Sequence, residues 1–277
     1  MNLVTIAFMT NYTLDLPNIN KQKSTIESFY NVFKINTVLP TFIFCDEKPL
    51  SKIDGDIILY SGEICKNYKK VGQEYEDNLF ALDLLKHAEL IKTQSLADGY
   101  KKAIELCKTP YLFFLEHDWL FLPNIEHSLS DLTNLMNVHN EINCILFNKW
   151  YNKPSNDQTM QYFNYSVPLC LTNRQSNNPN LLRIEHAFKI RYNLIKNEGC
   201  SIHPCIEYKY KFNNGLELPN YCGGIECELC VFCDNNVNNI NVLGTYLYGP
   251  YNMEPTIIHT DGCDRELLNK VTKVIRL

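Results

Sequence analysis

Glu116 and Asp118 are the residues of this chain best placed to do chemistry. Residues 110–122 read PYLFFLEHDWLFL, so both carboxylates arrive at the end of a run of large apolar side chains. A carboxylate beside such a run is expensive unless a cation or a hydrogen-bond donor meets it. On an extended strand, positions i and i+2 point the same way, and two acids so placed can share one hard cation. Mg²⁺ and Mn²⁺ suit such oxygen ligands, and either ion can in turn hold a polyphosphate. The plainer alternative is a pair of solvated acids where a strand leaves the core.

Cys222, Cys227, Cys230 and Cys233 form a second group with chemical potential. Four thiols so close together can hold zinc or an iron–sulfur cluster. The spacing argues otherwise. Structural zinc sites use two separated Cys pairs, and a ferredoxin-type run needs a further Cys-Pro where Asp234-Asn235-Asn236 stands. Cys227, Cys230 and Cys233, at i, i+3 and i+6, match one buried helix face on which Cys acts as a small hydrophobe.

The elements that must position these groups alternate strand and helix through the first half of the chain, the pattern of an α/β sheet. Strands are predicted at Leu3–Met9, at Thr41–Phe44 (running into Cys45-Asp46-Glu47) and at Asp56–Tyr60. Helices are predicted over Lys23–Phe33, Asn78–Ile91 and Leu96–Cys107, the last with Ala97, Tyr100, Ala103, Ile104 and Cys107 turned to the core. Tyr111–Leu115 is apolar without alternation, as a strand covered on both faces would be. Beyond it, Ile125–Val138 reads as a helix, Cys144–Trp150 as a strand, and Tyr151–Asn180 as a polar, Asn-rich loop. Glu226–Phe232 and Arg265–Arg276 read as further helices.

Composition narrows the function classes. With 277 residues, 45% hydrophobic and 21% charged, the chain can bury a sizeable core. A net charge of −5, with no cluster of Lys and Arg, argues against a nucleic-acid partner. Leu3–Met9 has no preceding basic residues and no cleavage site, so it reads as a strand rather than a signal peptide. The apolar runs are too short for a transmembrane segment. A cytoplasmic protein is therefore expected, with its 12 cysteines as thiols. The sequons at Asn11 and Asn164 have no force in that compartment.

The segment Ser95–Trp119 resembles the centre of glycosyltransferases with the GT-A fold, in which a helix rich in small residues precedes a hydrophobic strand ending in Asp-x-Asp. Here Ala97-Asp98-Gly99 lies in the helix and Glu116-His117-Asp118 is a variant of the motif. The resemblance implies that Asp118 ligates a Mn²⁺ or Mg²⁺ ion, with Glu116 contacting ribose or the ion, and puts Asp98 on the donor side. Tyr221–Leu229 resembles the Gly-Gly-then-acid segment of inverting members. Gly223 and Gly224 would then leave room for the donor and acceptor sugars, and Glu226 or Glu228 would be the general base that an attacking hydroxyl needs. Read alone, the segment is a Gly-Gly turn before a helix whose first-turn acids favour the dipole. His259, after an apolar pair, matches a late His that completes the cation site in such enzymes. Asp261 and Arg265 follow in the same loop, and a guanidinium suits diphosphate oxygens. Asp46, with Thr10, Asn11 and Tyr12, would line the nucleoside pocket at the strand ends. Asp46 alone reads as a turn-former before Pro49.

Residues 125–215 match no family pattern and are expected to recognise the acceptor. Their aromatics Trp150, Tyr151, Tyr162, Phe163 and Tyr165 are able to stack on sugar faces, although each singly is more commonly packing. The expectation is one α/β domain over 1–277, GT-A-like with a mostly parallel sheet. Residues 1–120 would bind the nucleotide sugar and 121–277 the acceptor. It would move a hexosyl or deoxyhexosyl group from a UDP-, GDP- or dTDP-sugar to a glycan or other hydroxyl acceptor, with inversion. The alternatives are a nucleotidyltransferase, against which counts the lack of a Gly-rich basic loop between Met9 and Lys23, and a non-catalytic carbohydrate-binding relative.

Overall fold

The computed structural model describes residues 3–11, 19–46, 50–53, 56–59, 73–93, 96–154, 160–195, 210–211, 217–218 and 225–260. Its strands are β1 (Val4–Asn11), β2 (Thr41–Asp46), β3 (Leu50–Ile53), β4 (Asp56–Leu59), β5 (Glu89–Thr93), β6 (Tyr111–Glu116), β7 (Trp119–Phe121) and β8 (Cys144–Leu146). These are followed by β9 (Met160–Asn164), β10 (Pro168–Thr172), β11 (Asn180–Arg183), β12 (Tyr210–Lys211), β13 (Glu217–Leu218), β14 (Thr245–Tyr248) and β15 (Ile257–His259). The principal helices are α1 (Asn20–Val32), α2 (Leu96–Leu106), α3 (Leu129–Val138) and α4 (Glu226–Asn235). No described helix is long and apolar enough to cross a membrane.

Nine of these strands form one sheet in the order β5-β2-β1-β6-β11-β8-β14-β10-β9. The first four run parallel. Strand β11 opposes both β6 and β8, β14 returns parallel to β8, and the hairpin of β10 and β9 closes the far edge. The fold is α/β, parallel from β5 to β6 and mixed beyond them.

Strand β6 is the axis of the core. Its residues Tyr111 to Leu115 are all buried, as their unbroken apolarity requires. Alternation sends Phe113 to one face, against Phe29 of α1 and Phe33 at its C-terminal cap, and Phe114 to the other, 4.8 Å from Tyr100 of α2. Helix α2 buries Ala97, Gly99, Tyr100, Ala103 and Ile104, the face its periodicity predicts. Gly99 lets it approach closely, since a Cβ there would stand 3.1 Å from Met9 Sδ and 3.4 Å from Phe44 Cβ.

Several segments depart from expectation. The run 78–91 is not one helix. Residues 73–80 are helical, then bonds from Leu82 N to Leu79 O, Leu85 N to Leu82 O and Ala88 N to Leu85 O make successive tight turns. Leucines three apart satisfy such turns as well as a helix, so the period misleads. The chain then enters β5, which takes the sheet position expected of 56–60. That segment pairs instead with β3 in a separate hairpin. The stretch 151–180 holds β9, which is half-exposed along its length, and β10, a short apolar run buried at all but its first residue that the Asn-rich sequence around it obscures. Strand β8 stops at Leu146, and α3 starts at Leu129 behind a Ser128–Asp131 capping box. The 265–276 helix lies outside the described residues.

Gly244 ends the short helix Asn239–Leu243 in the left-handed region, at φ 53°. A Cβ there would lie 2.1 Å from Glu141 O, and Gly244 O accepts from Asn143 N and Cys144 N at the mouth of β8. Gly244→Ala therefore meets both strain and a backbone clash. Urea denaturation should show a loss of about 2 kcal/mol or more.

Candidate functional site

The parallel strands place their C-terminal ends side by side. Asn11, Asp46 and Thr93 are in register, and Met9 lies opposite Glu116. Open α/β sheets bind ligands at this edge. A cavity of about 160 Å³ opens there, lined by Met9, Thr10, Phe44, Thr93, Leu96, Glu116 and His117. Thr10 shares a short hydrogen bond with the buried Tyr75 hydroxyl. Burial holds that phenol well above its usual pKa, with Thr10 partly opposing the shift, so the bond is between two neutral hydroxyls. Asp98, in the first turn of α2, pairs with Lys102 at 2.9 Å, and the Lys102 ammonium also reaches Lys92 O.

Beyond Glu116 the chain turns. His117 N donates to Met9 O at 3.0 Å and Thr25 Oγ1 donates to His117 O at 2.7 Å, so β1 and α1 clamp the turn. This turn breaks the i, i+2 relation that an uninterrupted strand would give the two acids. Glu116 faces the cavity; Asp118 instead enters β7, which pairs antiparallel with β15. That pairing sets His259 opposite Trp119 and brings His259 Nε2 to 2.9 Å from Asp118 Oδ2. Thr260 N and Oγ1 both donate to Asp118 O, at 2.7 and 3.0 Å. The Trp119 ring lies 4.5 Å from the His259 ring.

Asp118 is 8% exposed, and its Oδ1 is buried with no hydrogen-bond partner among the described residues. A buried carboxylate oxygen without a donor is costly, and a ligand is one way to satisfy it. The separation of 2.9 Å also fits chelation. Two donors each roughly 2.1 Å from an octahedral cation, at right angles, stand about 3 Å apart. Asp118 and His259 are thus two groups that could contribute to a cation site, at a separation that equally makes a direct imidazole–carboxylate hydrogen bond. Among the described residues no group of three His, Cys, Asp or Glu gathers around one point, so Glu116 does not join the pair.

Glu228 is buried in the first turn of α4, whereas Glu226 and, at the strand ends, Asn11 and Asp46 are placed by backbone alone. Tyr12, Cys222, Gly223, Gly224, Asp261 and Arg265 lie outside the described residues, as does the side chain of Cys227. On α4, Cys233 is buried and Cys230 half-buried. Gln175 Nε2 donates to Cys233 Sγ at 3.9 Å, and Cys230 Sγ donates to Gln175 O at 3.8 Å. Burial pushes the Cys233 thiol up to about 11, which favours a packed thiol over a metal-binding thiolate.

Residues that sequence reasoning passed over complete the surroundings. Lys149 Nζ lies 5.7 Å from the Trp119 ring centre. Buried Asn148 receives Thr256 Oγ1 on its Oδ1 at 2.6 Å and donates to Glu254 O at 2.9 Å, tying the end of β8 to the approach of β15. An asparagine straight after an apolar strand was the available signal.

No family model and no curated protein matches the chain. Solved structures do. TarS 1–349 of S. aureus is 9% identical with a TM-score of 0.40, over 94% of this chain and 60% of that one. The same protein in complex with UDP-GlcNAc is 8% identical with a TM-score of 0.40, over 97% of this chain and 61% of that one. A nucleotidyl transferase from Methanothermobacter thermautotroptrophicus (Mth528) is 8% identical with a TM-score of 0.46, over 100% of this chain and 99% of that one. This chain thus spans about 60% of TarS 1–349.

Proposed function

We propose that the protein is a GT-A-like glycosyltransferase that moves a hexosyl or deoxyhexosyl group from a nucleotide sugar to a hydroxyl acceptor. The supporting observation is the Asp118–His259 pair with its unsatisfied carboxylate oxygen, seated beside the strand-end cavity. Asp118 and His259 would hold Mn²⁺ or Mg²⁺, and such an ion supplies Lewis-acid stabilisation of a departing nucleoside diphosphate.

In this reading the chain's own groups divide the remaining work. Thr93, the Thr10 backbone and Glu116 bind the nucleoside, with the Glu116 carboxylate accepting from ribose hydroxyls. Leu96 and Phe44 pack against its apolar face and exclude water. Asp46 and Asn11 flank the same pocket, and Arg265 meets the diphosphate. Glu226 or Glu228 accepts the acceptor's proton as its oxygen attacks the anomeric carbon, so one displacement inverts that centre.

Thermal shift with UDP-, GDP- and dTDP-sugars, with and without MnCl₂, tests donor binding. A donor at roughly 100 times its Kd should raise Tm by about 5 °C, and only with the ion present. No shift with any sugar nucleotide would refute the donor site and favour the carbohydrate-binding alternative. Release of pyrophosphate from a nucleoside triphosphate and a sugar phosphate would instead identify a nucleotidyltransferase.

A further inference from the structure

Three aromatic side chains stand out in the open near the Asp118–His259 pair. Trp150 is 61% exposed, Tyr151 51% and Tyr251 41%. An indole left this exposed forfeits much of what burial would contribute, and such rings on two loops hydrogen-bonded to each other mark a contact surface. Of the other aromatics named from the sequence, Phe163 stacks on Tyr165 at 5.3 Å and meets Tyr246 at 5.8 Å, while half-buried Tyr162 lies 5.8 Å from the Tyr251 ring and supports it.

The exposed rings sit on two loops that are stitched rigid. Asn152 N donates to Met253 O at 3.1 Å and Asn252 N donates to Asn152 O at 2.9 Å. The buried Asn152 amide donates to Tyr248 O at 2.8 Å, Pro250 O at 3.2 Å and Gly249 O at 3.3 Å. Asn148 Nδ2 donates to Trp150 O at 2.9 Å. Tyr251 is pinned from its far end, its hydroxyl donating to Met160 O at 2.8 Å. Ordering that would otherwise oppose binding is therefore already done in the free protein.

The surface also connects to the proposed site. Lys149 Nζ lies 5.7 Å from the ring centre of exposed Trp150 and 5.7 Å from that of buried Trp119, whose ring meets the His259 ring at a tilt of 51°. On the outer side, Lys153 Nζ sits 5.3 Å over the Tyr151 ring. Exposed flat rings with ammonium groups lying over them and phenol hydroxyls at their rim match a ligand with an apolar face and a hydroxylated rim. That is the chemistry of a pyranose ring.

We infer that Trp150, Tyr151 and Tyr251 form a stacking platform for a pyranoside acceptor, which Lys149 links to the Asp118–His259 pair. The inference rests on the glycosyltransferase reading for its role as an acceptor site, although sugar binding by the platform can be measured without it. Of the two tryptophans in the chain, only Trp150 is exposed, so its emission reports occupancy. Titration with methyl pyranosides of glucose, galactose, mannose and N-acetylglucosamine should give a saturable change in that emission with at least one of them. Saturation-transfer NMR on the same sugar should show Trp150→Ala, Tyr151→Ala and Tyr251→Ala each weakening its binding about tenfold or more. The ion-dependent thermal shift with the donor should persist in all three variants.

No saturable binding by any of these pyranosides, or binding indifferent to all three substitutions, would overturn the platform. So would adsorption to phosphatidylcholine–phosphatidylglycerol vesicles that the same substitutions abolish, in the absence of sugar binding; the patch would then be a membrane contact. Pyranoside binding without any donor shift would uphold the platform and refute the transferase reading. A donor shift without pyranoside binding would do the reverse.

Discussion

Asp118→Asn is expected to lower kcat/KM for sugar transfer by about a thousandfold while leaving the fold intact. The substitution is isosteric, and the amide oxygen can still accept from His259 Nε2, 2.9 Å away in the parent. The turn is held chiefly through the backbone, by Thr260 on Asp118 O and by Met9 O on His117 N, and neither bond involves the carboxylate. What disappears is a negative charge beside a buried oxygen that has no described donor. If that oxygen meets a divalent ion, its loss removes on the order of 4 kcal/mol of transition-state stabilisation, the same thousandfold. The ion-dependent donor shift should vanish with it. Steady-state transfer assays beside a melting curve separate the two effects. A variant that melts normally and transfers sugar at near parental rate would sink the cation reading.

The central parts of this frame were legible because local sequence and tertiary burial agree there. Tyr111–Leu115 had no polar position to offer solvent, so it had to be covered on both faces. Helix α2 showed its core face through the spacing of Ala97, Tyr100, Ala103 and Ile104. Edges were less legible. Strand β5 is mostly half-exposed and follows leucines three apart, so a helical period was read through it. Strand β9 is half-exposed and lies in an Asn-rich stretch, so it read as loop.

The site was legible only in pieces. Glu116 and Asp118 stand out by polarity, but the turn at His117 that sends them to different places depends on Met9 and Thr25, which are remote in sequence. No local pattern puts β15 beside β7, so the meeting of His259 with Asp118 was reachable only through family resemblance. Asn148 was read into the strand Cys144–Trp150 and Asn152 into the Asn-rich loop after it. Their buried amides instead hold the loops that present Trp150 and Tyr251.

The turn that carries the acids rests on an aromatic cluster, and its central ring sets the largest expected stability effect. Phe113 is fully buried, with ring centres 4.6 Å from Phe29, 5.6 Å from Phe33, 5.9 Å from Phe121 and 5.6 Å from Phe147. These rings belong to α1 and its C-terminal cap, β7 and the residue after β8, so Phe113 joins the strand before the turn to the strand after it. Phe113→Ala removes a ring from a site whose neighbours are held by one another and cannot collapse into the void. About 4 kcal/mol should be lost, which is a large share of the total stability of a domain. Phe113→Leu refills most of the volume and keeps apolar contact, so its loss should be nearer 1–2 kcal/mol. Urea denaturation of both variants measures the difference. If the cluster also holds the turn in place, Phe113→Leu, still folded, should bind donor more weakly than the parent although it touches no cavity residue. Equal stability of the alanine and parent proteins would show that β6 is not the axis of the core.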